Sequence, residues 1–126
     1  MPARFEELPF TAGQPKYVDV RINDATPAWL LLDTGANLTT IAPRVLRAAG
    51  LVPRGSATLR GVTGQATADV YEIASLEVGG ARVGPLRILG HDTGERGSDG
   101  LLGNDFLDHF TVTIDNAAGR ITLSPK

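Results

Sequence analysis

The clearest chemical signal in this sequence is an acid that leaves an apolar run with only small residues behind it: Trp29-Leu30-Leu31-Leu32 is followed at once by Asp33-Thr34-Gly35-Ala36. A carboxylate at the end of a buried strand is costly unless it is hydrogen-bonded or neutralised. Two readings satisfy that requirement, a turn built on the Asp side chain and an acid kept for its chemistry. Other combinations are weaker. His91 and His109 each stand beside an Asp, Asp92 and Asp108, but two isolated histidines without further spaced ligands make a poor metal site. Gly97-Ser98-Asp99-Gly100 lacks the strand-to-helix setting and the partner His of a nucleophile elbow, and reads as loop. Arg44, Arg47, Arg54 and Arg60 form a loose basic patch, read as the solvated face of a helix and its exit. No Gly-rich loop opens a helix to cradle a phosphate.

The elements that must position Asp33 are mostly short strands. Val18, Val20 and Ile22 alternate with Asp19 and Arg21, the period of a strand with one buried face. Asn23-Asp24-Ala25-Thr26-Pro27 reads as a turn, returning into residues 29–32, a strand expected to be apolar on both faces and central. Pro43 near a first turn, Val45, Leu46 and Ala49 on one side and Gly50 as a stop predict a helix of about two turns. Between Ala57 and Ile88, Gly61-Val62-Thr63-Gly64 and Gly79-Gly80 mark two hairpins. A Gly- and Asp-rich loop over 91–100 is followed by Leu101-Leu102-Gly103 and a second short helix from about Asn104 through Phe110, with Asn104 as a suitable N-cap. Residues 111–114 and 120–123 make a last hairpin across Asp115-Asn116-Ala117-Ala118-Gly119. The succession of strand, Asp-bearing loop and short helix occurs twice, over 30–49 and 86–110, which predicts two similar halves.

Composition narrows the class. The 126 residues, 42% of them hydrophobic, suit one globular domain with a modest core. Twelve basic against fourteen acidic residues, with no basic stripe, argue against nucleic acid as the main partner. The absence of Cys excludes disulfides, thiolate metal sites and Cys nucleophiles, and leaves the compartment open. No apolar run approaches the roughly 20 residues of a membrane helix. Acids at Glu6 and Glu7 stand where a signal peptide would be apolar, which points to the cytoplasm unless the chain is a domain trimmed from a longer, membrane-tethered protein.

Leu31-Leu32-Asp33-Thr34-Gly35-Ala36 resembles the catalytic loop of the retropepsin-like aspartic proteases. Leu101-Leu102-Gly103-Asn104 resembles that family's second marker, two apolar residues and a Gly entering a short helix, and the hairpin at Gly61-Val62-Thr63-Gly64 sits where the family places its flap. The resemblance runs roughly from Tyr17 to Leu123 and is greatest to single-domain bacterial members with the variant Asp-Thr-Gly-Ala-Asn, here Asp33 to Asn37. It implies a mostly β, small closed barrel-like fold with two short helices and a flap hairpin, spanning residues 1–126 as one domain. It further implies that Asp33 is catalytic, that Thr34, Gly35 and Ala36 support its loop, and that Gly61, Val62, Thr63 and Gly64 cover the substrate. Leu101, Leu102 and Gly103 would support the loop from behind. With Val62 and Thr63 at the flap tip, no aromatic stacking on substrate is expected there.

The implied chemistry needs two carboxylates sharing one proton, one acting as base on a water and the other protonating the amide carbonyl. One such loop per chain implies a homodimer that brings Asp33 against its twin, acting on peptide or protein substrates with no metal or organic cofactor. The second tripeptide Asp92-Thr93-Gly94 does not change this, because the chain is too short for two pepsin-like lobes and its neighbours His91, Glu95 and Arg96 make a polar loop. The rival reading is a catalytically silent peptide-binding or dimerisation module of the same fold.

Overall fold

The computed structural model describes residues 6–9, 16–61, 64–92, 97–115 and 117–126. The first strands are β1 (Glu6–Pro9), β2 (Tyr17–Ile22), β3 (Thr26–Leu32) and β4 (Thr40–Ile41), followed by helix α1 (Pro43–Ala48). Next come β5 (Gly55–Gly61), β6 (Gly64–Ile73), β7 (Leu76–Val78), β8 (Ala81–Val83) and β9 (Leu86–Gly90). The chain closes with β10 (Gly100–Leu102), helix α2 (Asn104–Leu107), β11 (Phe110–Asp115) and β12 (Arg120–Pro125). The predicted mostly β architecture with two short helices is therefore present.

β2 buries Val18, Val20 and Ile22, as its alternation predicts, and reverses into β3 through Asn23 and Asp24. Both adopt left-handed backbone, at φ 54° and 63°, a conformation these two residue types tolerate in tight hairpin turns. Asn23 Oδ1 also accepts the N–H groups of Ala74 and Ser75, fastening the hairpin to the corner between β6 and β7. β3 is central in its sheet but is not apolar-in on both faces. Ala28 and Leu30 enter the core, whereas Trp29 stays 40% exposed and stacks on Tyr17 with ring centroids 5.8 Å apart. A strand side chain follows a period of two, so four consecutive apolar residues must place alternate members on opposite faces.

The strands form two sheets, one in the order β1-β12-β11 and one in the order β5-β6-β9-β4-β10-β3-β2-β7-β8. The expected closed barrel is not formed: among the described residues the large sheet ends at β5 and β8, which do not pair with each other. Its middle carries the two similar halves. β3 pairs parallel with β10, β9 pairs parallel with β4, and β4 and β10 run antiparallel between them. The strand that starts each half thus lies beside a strand of the other half. Gly100 makes this possible at the crossing, because its φ of 149° suits no side chain and a Cβ there would collide with the Thr40 carbonyl.

One cluster of buried side chains draws on both sheets and both helices. Phe106 of α2 lies at 5.2 Å from Phe110, and Leu30, Ile41, Leu46, Ile88, Leu102, Ile121 and Leu123 are fully enclosed with it. Phe110 opens β11 and is not the end of the helix, which stops three residues earlier. No helix among the described residues is long and apolar enough to cross a membrane.

Candidate active site

β3 ends at Leu32, and the next peptide leaves the core at the crossing of β3 and β10. The Asp33 N–H donates to the Leu102 carbonyl at 3.0 Å, which extends the parallel pairing by one residue and fixes where the carboxyl emerges. Asp33 Oδ1 then accepts the Gly35 N–H at 2.9 Å, and the Ala36 N–H donates to the Asp33 carbonyl at 3.2 Å. The carboxylate therefore does build its own turn. Its Oδ2 takes no donor among the described residues, so the turn uses only one of the two oxygens. A Cβ on Gly35 would sit 3.2 Å from Oδ1, close enough to disturb that hydrogen bond. Asp33 and Ala36 are half-buried, and Thr34 and Gly35 are exposed.

The second marker lies directly behind this loop. Leu102 is wholly buried, and Leu101 sits beside Leu31 on the other face. Gly103 is required by proximity: a Cβ would lie 2.7 Å from the Leu38 carbonyl carbon and 2.9 Å from the Ala36 oxygen, both backbone atoms. This lets the start of α2 donate into the loop. The Asn104 N–H reaches the Ala36 carbonyl at 2.8 Å, the Asp105 N–H reaches that of Asn37 at 3.1 Å, and Asn104 Nδ2 reaches that of Thr34 at 2.8 Å. The expected role of Asn104 as N-cap is corrected here. Gly103 occupies the cap position, no side chain caps the helix, and the Asn104 amide is spent on the Asp33 loop.

Three residues of this arrangement escape sequence reasoning. Thr39 is fully buried, and its hydroxyl donates to Asp105 Oδ1 at 2.7 Å and accepts the Gly103 N–H at 3.1 Å. Its own N–H donates to Asp105 Oδ2 at 3.0 Å, and Oδ1 also takes the Phe106 N–H at 2.9 Å. Asp99 accepts the Trp29 N–H at 2.9 Å and pairs with Arg44 at 2.8 Å, so Arg44 does more than solvate a helix face. The only sequence signal for the first network is an acid in the first turn of α2, where it complements the helix N-terminus, with nothing to indicate Thr39 as its partner.

β5 and β6 form a hairpin in which Gly61 pairs with Gly64. β6 pairs with β9 over Asp69 to Ile73, and among the described residues its first half pairs with β5 alone, with residues 64–67 exposed. Val62 and Thr63, the expected flap tip, lie outside the described residues. Asp92 is exposed after β9, and Thr93 and Gly94 lie outside the described residues. A recess of about 390 Å³ lined by Asp19, Val20, Arg21, Pro27, Glu77 and Gly79 opens near the start of β3, at the opposite end from Asp33.

Comparison with known proteins bears on this geometry. No curated protein matches the chain. The crystal structure of a retropepsin-like aspartic protease from Rickettsia conorii is similar to it with a TM-score of 0.73, covering 98% of this chain and 94% of that one at 17% identity. At that identity the likeness establishes the fold, which is retropepsin-like. A family described as aspartyl protease matches residues 18–106, a span that includes the Asp33 loop, the β5–β6 hairpin and the start of α2. The chain belongs to this aspartyl protease family.

Proposed function

We propose that the chain is an aspartic endopeptidase that works as a homodimer on extended polypeptide, with residues 1–126 acting as one domain. The observation that carries this reading is the Asp33 loop. One carboxylate per chain is held at the end of a central strand with one oxygen engaged and one presented, on a turn whose Thr34 and Gly35 face outward. Family membership supplies the reaction class. A single such loop calls for a second copy, and a two-fold axis beside Thr34 places Asp33 against its twin. Two carboxylates that close hold one proton between them, because like charges in contact cannot both ionise. The ionised member takes a proton from the attacking water while the protonated member donates to the amide oxygen, so the tetrahedral intermediate forms without a covalent enzyme adduct. Thr34 locks the two loops across the axis, and Gly35 lets the substrate backbone approach the pair.

Substrate lies strand-like beneath the β5–β6 hairpin, held by main-chain hydrogen bonds, and the hairpin excludes water as it closes. The test is cleavage of denatured casein by concentrated protein, beside Asp33→Asn, with sedimentation to establish the dimer. Cleavage by the wild type and its loss in a folded Asp33→Asn variant are the expected results. A dimeric wild type that cuts nothing would favour a silent binding module, and an active Asp33→Asn variant would remove Asp33 from the chemistry.

A further inference from the structure

Two hydrogen bonds near Asp33 end on one peptide unit, the one joining Thr34 to Gly35. Its N–H donates to Asp33 Oδ1 at 2.9 Å, and its C=O accepts from Asn104 Nδ2 at 2.8 Å. A peptide unit is planar and its N–H and C=O point in opposite directions, so whatever holds the carbonyl also aims the N–H. Asn104 has the means to hold it firmly. Its own N–H is anchored on the Ala36 carbonyl at 2.8 Å, so backbone and side chain of one residue hold two carbonyls of the loop, those of Ala36 and Thr34. The Cα of Asn104 is itself fixed by the close approach of Gly103 to Leu38 and by the Asp105–Thr39 bonds that follow.

We propose that Asn104 is a positioning residue for Asp33, acting through the Thr34–Gly35 peptide unit; the inference rests on the reading of Asp33 as catalytic. In the single chain the Asn104–Thr34 bond lies at the surface and not in the core, so its loss forfeits little of the chain's own folding stability. What is lost is orientation. Freed at its carbonyl, the peptide unit rotates about the flanking bonds, the Gly35 N–H leaves the carboxylate, and Asp33 is no longer held where its twin and the substrate need it. Small displacements of a reacting group carry large rate penalties, up to about 100-fold for roughly 1 Å.

The experiment compares Asn104→Leu, which removes the donor at similar size, with Asn104→Asp, which keeps the shape and turns an acceptor toward the Thr34 carbonyl. Each is measured for kcat and KM on one peptide, for melting temperature, and for the chemical shift and exchange rate of the Gly35 amide proton in 15N-labelled protein. The expected result is a kcat lowered about tenfold or more with KM within about twofold, a small change in melting, and a displaced, faster-exchanging Gly35 amide. Should Asn104→Leu not fold, Asn104→Asp is judged by the same readings. Wild-type kcat in either folded variant, or a Gly35 amide identical to wild type, overturns the proposal. A wild type that cleaves nothing overturns the proteolytic reading instead, and the Gly35 amide alone then decides whether Asn104 positions the loop.

Discussion

Replacing Thr39 by Val tests whether the hydrogen-bond network behind the Asp33 loop is as important as its geometry implies. Thr39 is fully buried, and Val matches it in shape and β-branching, so the change removes a hydroxyl without opening a cavity. Two groups lose a partner. Asp105 Oδ1 loses the 2.7 Å hydroxyl donor, a bond to a charged group that contributes about 1.5 to 3 kcal/mol. The Gly103 N–H loses its 3.1 Å acceptor in a buried setting, at about 1 to 3 kcal/mol for an orphaned donor. The Thr39 N–H keeps Asp105 Oδ2, and Phe106 keeps Oδ1, so the carboxylate is not stranded and the lower halves of those ranges apply. We expect a loss of about 3 kcal/mol, which for a chain of this length lowers the melting temperature by roughly 10 °C. Thr39→Ser is the control, since it keeps the hydroxyl, deletes one buried methyl and should cost only about 1 kcal/mol. Thermal and urea unfolding at one fixed protein concentration measures both, because dimerisation would make the midpoint concentration-dependent. If Thr39→Val melts within 2 °C of wild type, or is the more stable of the two variants, the network does not hold the loop and the argument fails.

Three further outcomes follow from the site. Asp92→Asn should keep cleavage and melting close to wild type, within about 0.5 kcal/mol, because Asp92 is exposed and stands outside the Asp33 loop; a folded but inactive Asp92→Asn variant would mean that the two Asp-Thr-Gly loops meet within one chain. Specific activity should fall on dilution in step with the dimer fraction seen by light scattering, and full activity in a demonstrated monomer would rule out a shared pair of Asp33 residues. Gly103→Ala should destabilise by about 2 to 3 kcal/mol and depress activity, since its methyl meets backbone atoms of Ala36 and Leu38; near-wild-type unfolding in urea would show that the contact relaxes at no cost.

Much of this site is legible locally. Asp33-Thr34-Gly35-Ala36 after four apolar residues marks where a strand ends and an acid emerges, and Leu101-Leu102-Gly103 marks the segment that supports it. What lay beyond reach is polar partnership at long range. Thr39 and Asp105 are 66 residues apart, and a threonine that bonds a distant carboxylate has the same neighbours in sequence as one that faces water. Asn104 shows the same limit from the other side. Its type and place before Asp105 and Phe106 fit an N-cap, yet the close approach at Gly103 shifts the cap by one residue and turns the amide onto Thr34.

Neighbours along the chain are enough to give the period-two strands, the turn that opens at Asn23 and Asp24, the two short helices and the small-residue loop around Asp33. These follow from backbone sterics and from which side of a strand or helix is apolar, and they need no knowledge of the rest of the chain. Only the tertiary structure places β10 parallel to β3 and leaves the large sheet open among the described residues. It also decided that Trp29 faces outward onto Tyr17 and that Asn104 grips the loop of Asp33. Those outcomes depend on which segments a common core brings together. Burial rewards any apolar partner of suitable size, so the pairing is set by the packing of the whole chain and not by the pattern of any one segment.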